Sequence, residues 1–224
     1  MTKKGFIFDL DGVIVDTAKY HFFAWQDLAN SLGINFTEKE NEQLKGVSRI
    51  RSLEKILEWG NTSISEEKFT TLMTQKNEEY LAYINTMDTS EILPDVNRVL
   101  NFLSEKKQGI ALGSASKNAK PILEKVNLLS NFQAIVDGND VSKAKPDPEV
   151  FLIGAKLLHL EPSRCVVFED SVAGIQAANQ ANMLSIGIGE ANVLHEADYI
   201  FNDFTEMTNE FLNDVISGTI VKRN

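Results

Sequence analysis

The chain has 224 residues, 43% of them apolar and 24% charged, which is the profile of a folded globular protein and excludes a disordered, collagen-like or coiled-coil chain. At roughly 150 residues per domain, this length predicts one domain with a substantial insertion. Thirty-two acidic against twenty-two basic side chains leave a net charge of −10; nucleic acid is therefore not the expected partner, because a phosphate backbone needs a cationic face.

Cys165 is the only cysteine, so no intrachain disulfide is expected, and its setting in CVVF predicts a buried strand position. The opening MTKKGFIFDLDG carries too few apolar residues before Asp9 to be a signal-peptide core. No apolar run is long and clean enough for a membrane span. The expectation is a cytoplasmic protein that meets neither membrane nor nucleic acid and acts as a monomer.

The first predicted element is GFIF, residues 5 to 8, an apolar run without alternation that suits a strand buried on both faces. It leads into FDLDGVIVDT, residues 8 to 17. Asp9 and Asp11 stand two apart on extended chain just past the strand, so both carboxylates point into one crevice. Two unit charges about 4 Å apart at an effective dielectric near 20 repel by roughly 4 kcal/mol, and a phosphate would add to that. A cation must join them, and oxygen-only ligands around a phosphate suit Mg²⁺. An Asp-Gly turn at Asp11 and Gly12 would use the same residues without any chemistry.

From about 17 to 85 no strand pattern follows. Tyr20, Phe23, Ala24 and Leu28, then Leu53, Ile56 and Leu57, recur at helical spacing, which predicts an all-helical insertion over 17–85. Residues 1–16 and 86–224 would form the core, with hinges near 15–18 and 85–92. After it, strand and helix alternate. Val96, Val99, Leu100 and Leu103 predict a helix, GIALG (109–113) a strand, Ile122, Leu123 and Val126 a helix, and AIV (134–136) a strand. A helix over Val150, Ile153, Leu157 and Leu158, the strand CVVF (165–168), the strand LSIGIG (184–189) and a polar tail helix complete the series. Pro94 and Pro148 stand at helix starts and Gly109 after a helix end. This alternation predicts a doubly wound α/β domain with a parallel sheet, whose ligands sit at the carboxyl ends of its strands.

Three loops after predicted strands land on that same edge. GSASKN (113–118) offers the hydroxyls of Ser114 and Ser116 and backbone N–H groups ahead of a helix, a neutral phosphate cradle or an ordinary serine N-cap. In SKAKPDP, Pro146 keeps Lys145 extended and aims its ammonium, a point charge for phosphate or a solvated loop lysine. FEDS (168–171) sets Glu169 and Asp170 beyond a strand, a second acidic pair or a favourable helix start.

Together and in this order, these four motifs resemble the haloacid dehalogenase superfamily of phosphotransferases, over essentially the whole chain. The resemblance implies a Rossmann-like core with an inserted helical cap. It implies Asp9 as nucleophile, Asp11 as general acid/base, Ser114 and Lys145 as ligands of the transferring phosphoryl group, and Mg²⁺ held by Asp9, Asp11, Glu169 and Asp170. The cap stretches DTAKYHFFAW (16–25), EQLKGVSRIRSL (42–53) and QKNEEY (75–80) are similar to the sugar-phosphate mutase branch. That similarity implies that Thr17, His21, Trp25, Lys45, Gly46, Val47, Arg49, Ser52 and Lys76, with Ser116, Lys117 and Asn118, contact a sugar or its second phosphate. The implied reaction interconverts β-D-glucose 1-phosphate and glucose 6-phosphate through an aspartyl phosphate and a bisphosphate. A ligand phosphorylated at both ends independently demands a second anion site, and Arg49 suits it with its planar fork; Arg51 reads as a solvated helix face. A sugar-phosphate phosphatase shares the core residues and is the competing enzyme; a non-catalytic sugar-phosphate sensor would lack an aspartate that is present here.

Overall fold

The computed structural model describes residues 3–44 and 47–222. Lys45 and Gly46, both expected in the site, lie outside the described residues. The core strands are β1 (Gly5–Phe8), β2 (Gly109–Gly113), β3 (Ala134–Val136), β4 (Cys165–Glu169), β5 (Leu184–Ile188) and β6 (Tyr199–Phe201). They form one all-parallel sheet in the order β3-β2-β1-β4-β5-β6. The chain winds outward from β1 to β3, returns to the centre at β4 and winds out the other way. The reversal falls beside β1, where a doubly wound sheet opens a crevice at the carboxyl edge.

Apolar patterning does not predict β6. Its residues Tyr199, Ile200 and Phe201 are apolar but all half-buried, and a run of three between Asp198 and Asn202 is shorter than the roughly four to eight residues that mark a strand in sequence. Gly109 comes after a helix end, as expected, and opens β2. The chain turns after α5 (Val96–Glu105) at Lys107, which takes φ +55°.

Helices cover both faces. Against one, Phe8 and Phe168 stack with ring centroids 4.6 Å apart, and Phe204 closes on Phe168 edge-on at 5.5 Å. Val99, Leu100 and Leu103 of α5 join this cluster. Against the other, Ile7, Ala111 and Val167 pack on Val150, Phe151 and Ala155 of α7 (Glu149–Leu157), with Cys165 buried among them. Between β1 and α5 the described chain holds four helices and no strand: α1 (Ala18–Ser31), α2 (Glu38–Glu42), α3 (Arg49–Trp59) and α4 (Glu66–Asn85). They enclose a separate apolar cluster of Trp25, Leu28, Ile34, Phe36, Leu53, Ile56 and Leu72. The two crossings between this insertion and the sheet lie against each other. Val15 pairs with Ile92, Asp16 N donates to Glu91 O at 3.1 Å, and Leu93 N donates to Ile14 O at 3.0 Å.

Candidate active site

The register sets the site. Phe8 is level with Leu112 on one side and Phe168 on the other, so the residues that follow, Asp9, Gly113 and Glu169, meet at one level of the sheet edge. Asp9 is held there by its backbone N–H, which donates to Phe168 O at 2.9 Å. Gly12 then turns the chain at φ +77°, and a Cβ on it would stand 2.2 Å from Asp170 Oδ2. Only glycine permits both the turn and that approach.

Lys145 is the hub. Its buried Nζ donates to Asp9 Oδ1 at 2.5 Å, to Gly113 O at 3.2 Å and to Glu169 Oε1, and lies 4.8 Å from the Phe151 ring centroid. Burial alone would lower this lysine, but the Asp9 and Glu169 carboxylates hold it above the ordinary lysine range. Burial raises Asp9 to about 6 against the pull of Lys145. The other oxygen of Glu169 accepts from Ser171 N and Ser171 Oγ, each at 2.8 Å. Ser171 Oγ in turn accepts from Gly174 N at 3.1 Å and caps α8 (Val172–Gln180). Glu169 is fully buried and does not border the cavity, whereas Asp170 does. The two neighbours expected to act as one acidic pair thus differ in place: Glu169 anchors Lys145 from behind, and Asp170 faces the crevice.

The cavity measures about 410 Å³ and is walled by core and insertion alike. Asp9, Asp11, Ser114, Ser116, Lys117, Asn118, Lys145 and Asp170 border it from the sheet edge, and His21, Trp25, Val47, Arg49, Ser52 and Lys76 from the insertion. Thr17 is fully buried at the start of α1, off the cavity wall, and its hydroxyl has no partner among the described residues. Asn41 and Leu44 also border the cavity. Sequence reasoning misses Asn41 because α2 (Glu38–Glu42) is five largely charged residues with too little apolar spacing to read, and it passes over Leu44 within the stretch 42–53 because an apolar side chain there carries no chemical signal.

The cradle after β2 folds through its own hydroxyls. Ser114 Oγ accepts from Ser116 N at 3.1 Å, and Ser116 Oγ accepts from Asn118 N at 3.2 Å. These bonds turn the loop into the start of α6 (Ala119–Lys125).

Asp11 faces the insertion. Burial, then the charge of Asp9, raises it to about 7. Its Oδ1 is buried without a hydrogen-bond partner among the described residues, and its Oδ2 lies 4.0 Å from His21 Nε2, too far for a hydrogen bond. His21 stacks on Tyr80 at 4.1 Å and meets Lys76 Nζ through Nδ1 at 2.8 Å. Burial, then Lys76 and Arg49, holds the imidazole neutral by lowering it well below the usual histidine range. When Lys76 is charged, Nδ1 must accept from it and the ring proton is then on Nε2, on the side of Asp11. Lys76 itself is buried 4.6 Å from the centroids of both Trp25 and Tyr80, and burial followed by Arg49 lowers it to about 7.

Among the described residues no three His, Cys, Asp or Glu side chains converge into a closed metal cage. The donors that border the cavity from the sheet edge are oxygens, chiefly the carboxylates of Asp9, Asp11 and Asp170, while Cys165 is buried in the sheet. Such a set fits a hard cation that keeps several of its waters and takes further oxygens from a phosphate.

Residues 3–182 match the family described as haloacid dehalogenase-like hydrolase. The chain is 40% identical over 216 residues to the β-phosphoglucomutase of Bacillus subtilis (strain 168), covering 94% of each protein. It is 31% identical over 184 residues to the fructose-1-phosphate phosphatase YqaB of Escherichia coli (strain K12), covering 82% of this chain and 95% of that one. Among solved structures, the β-phosphoglucomutase of Clostridium difficile superposes with a TM-score of 0.93 at 39% identity, covering 97% of this chain and 99% of that one.

Proposed function

This chain belongs to the haloacid dehalogenase-like hydrolase family, and from that premise we infer that it is a phosphomutase interconverting β-D-glucose 1-phosphate and glucose 6-phosphate. One observation carries the choice over a phosphatase: the cavity that holds Asp9 and Lys145 also holds a second group of basic side chains, Arg49 and Lys76 from the insertion with Lys117 from the loop after β2. Hydrolysis of a monophosphate needs one anion site, whereas a bisphosphate turning end for end needs two.

In the proposed cycle Asp9 carries a phosphoryl group. Lys145 occupies Oδ1, which leaves Oδ2 as the oxygen that bonds phosphorus. The C6 hydroxyl of β-glucose 1-phosphate attacks that phosphorus, Asp11 takes the hydroxyl proton, and the bond to Asp9 breaks. The resulting bisphosphate reverses, its C1 phosphoryl group passes to Asp9, and Asp11 returns the proton to the C1 oxygen as glucose 6-phosphate leaves. Lys145 and the Ser114 cradle offset charge on the transferring oxygens. An ordinary aspartate near 3.9 costs roughly 4 kcal/mol to hold protonated at neutral pH. Asp11, raised to about 7, avoids most of that cost.

The family is generally metal-dependent. Asp9 and Asp11 from the loop after β1 and Asp170 from the loop after β4 would hold Mg²⁺, which would neutralise charge on the phosphoryl oxygens; Glu169 supports the set by fixing Lys145. In this reading residues 17–85 act as a cap on a core of 1–16 and 86–224. His21, Trp25, Lys45, Gly46, Val47, Arg49, Ser52, Lys76, Ser116, Lys117 and Asn118 receive the sugar and its distal phosphate, and Thr17, buried off the cavity wall, backs them without touching the ligand.

The deciding assay supplies β-glucose 1-phosphate, Mg²⁺ and a trace of glucose 1,6-bisphosphate to load Asp9. Glucose 6-phosphate should accumulate with little free phosphate, and Asp9→Asn should abolish it. Stoichiometric release of phosphate and sugar would make the enzyme a phosphatase.

A further inference from the structure

We propose that Asn77, on α4, is a positioning residue that orients the amide of Asn118 and so aims the phosphate-facing loop after β2. Asn118 Nδ2 donates to Asn77 Oδ1 at 3.0 Å. This hydrogen bond crosses from the insertion to the sheet edge, next to Lys76 on one side and Lys117 on the other. Asn118 is 9% exposed and borders the cavity; Asn77 is half-buried and does not. Asn77 therefore acts through its neighbour.

The argument turns on what an amide presents. Nδ2 carries two N–H groups and Oδ1 only lone pairs. While one N–H is donated to Asn77, the amide keeps its nitrogen on the side of α4 and the second N–H remains available to an anion. Without Asn77 the amide is free to rotate by half a turn and show Oδ1 to the same anion, which replaces attraction with repulsion. The placement is reinforced from the far end: Lys125 Nζ donates to Asn85 O at 3.3 Å. Asn77 and Asn85 are eight residues apart on α4, about 12 Å along its axis, and Asn118 and Lys125 are seven apart along α6, roughly 10 Å. The two helices thus run side by side with a bond near each end. The Lys125 bond is exposed and contributes little, so the cavity end depends on Asn77.

The inference rests on the proposed distal-phosphate role of Asn118, and kinetics separate the two. Asn77→Ala, Asn118→Ala and the double variant are assayed for conversion of β-glucose 1-phosphate and for hydrolysis of p-nitrophenyl phosphate, which has no second charged group to reach this loop. Alanine is a strong helix former, so folding of the half-exposed variant is preserved. Asn77→Ala should raise KM for the sugar phosphate about 3- to 10-fold, the value of one hydrogen bond, with kcat little changed. Aryl phosphate hydrolysis should stay within about twofold, and adding Asn77→Ala to Asn118→Ala should change KM by less than about twofold, the limit of additivity error. Equal losses on both substrates, or penalties that multiply in the double variant, would overturn the proposal. If the parent merely hydrolyses sugar phosphates, the mutase reading falls, and the same KM comparison on glucose 6-phosphate hydrolysis still decides the role of Asn77.

Discussion

Asp11 couples chemistry to stability at the scale of one side chain. Its ordinary value is 3.8 and burial lifts it to about 7, so between those values the folded protein binds a proton that the unfolded chain releases. Stability therefore falls as pH rises through that window, and the deficit persists above it. Asp11→Asn removes the titration. Its unfolding midpoint should exceed the parent's at about pH 8 and converge with it near pH 4, while mutase turnover drops by about 10²- to 10⁴-fold. A midpoint difference that is the same at both pH values would show that Asp11 titrates normally. The two aspartates are legible in sequence because their spacing and the preceding apolar run already fix a shared crevice. Glu169 is legible as an acid at a strand end but not in its task. The letters E and D are equivalent there, and only the strand geometry turns one carboxylate inward to Lys145 and the other outward.

At the scale of elements, the start of α8 is a rigid seat for Lys145. A Cβ on Gly174 would come 1.9 Å from the carboxyl carbon of Glu169, and nothing in that buried corner is free to yield, because Glu169 is tied to Lys145 and Ser171. Gly174→Ala should cost about 1–3 kcal/mol of stability by overpacking. It should also lower turnover roughly tenfold or more by loosening the Lys145 charge. Thermal unfolding and steady-state rates measure both, and an unchanged kcat would mean that Lys145 does not need this anchor. The strands at 5–8, 109–113 and 165–168 could be read from composition because central parallel strands are apolar on both faces. The edge strand Tyr199–Phe201 and the short α2 could not, since each is too brief or too polar for periodicity to register.

Across the whole molecule, the proposed function gives the insertion the choice of which acceptor reaches Asp9. His21, on α1, and Lys76, on α4, lie together on the Asp11 side of the cavity, so in the proposed cycle they would touch the sugar and have little to do with a small aryl ester. His21→Ala or Lys76→Ala should cut conversion of β-glucose 1-phosphate by at least tenfold more than p-nitrophenyl phosphate hydrolysis, about 1.4 kcal/mol of selective transition-state binding. Equal losses would remove any substrate-specific role for the insertion. Its helical nature is legible from the spacing of its apolar residues, but the convergence of Trp25, Arg49 and Lys76 on one cavity is not. They come from three helices whose mutual packing no local pattern encodes.

The chain passes from sheet to insertion and back through two segments bonded to each other at Asp16–Glu91 and Ile14–Leu93. Two tethers far apart would clamp a lobe, and a single one would let it tumble. A bonded pair behaves like a leaf spring: stiff to sliding and torsion, compliant in one direction of bending. A sugar phosphate that draws the lobes together then works against a single soft coordinate, so opening and shutting return the walls to the same alignment on every cycle.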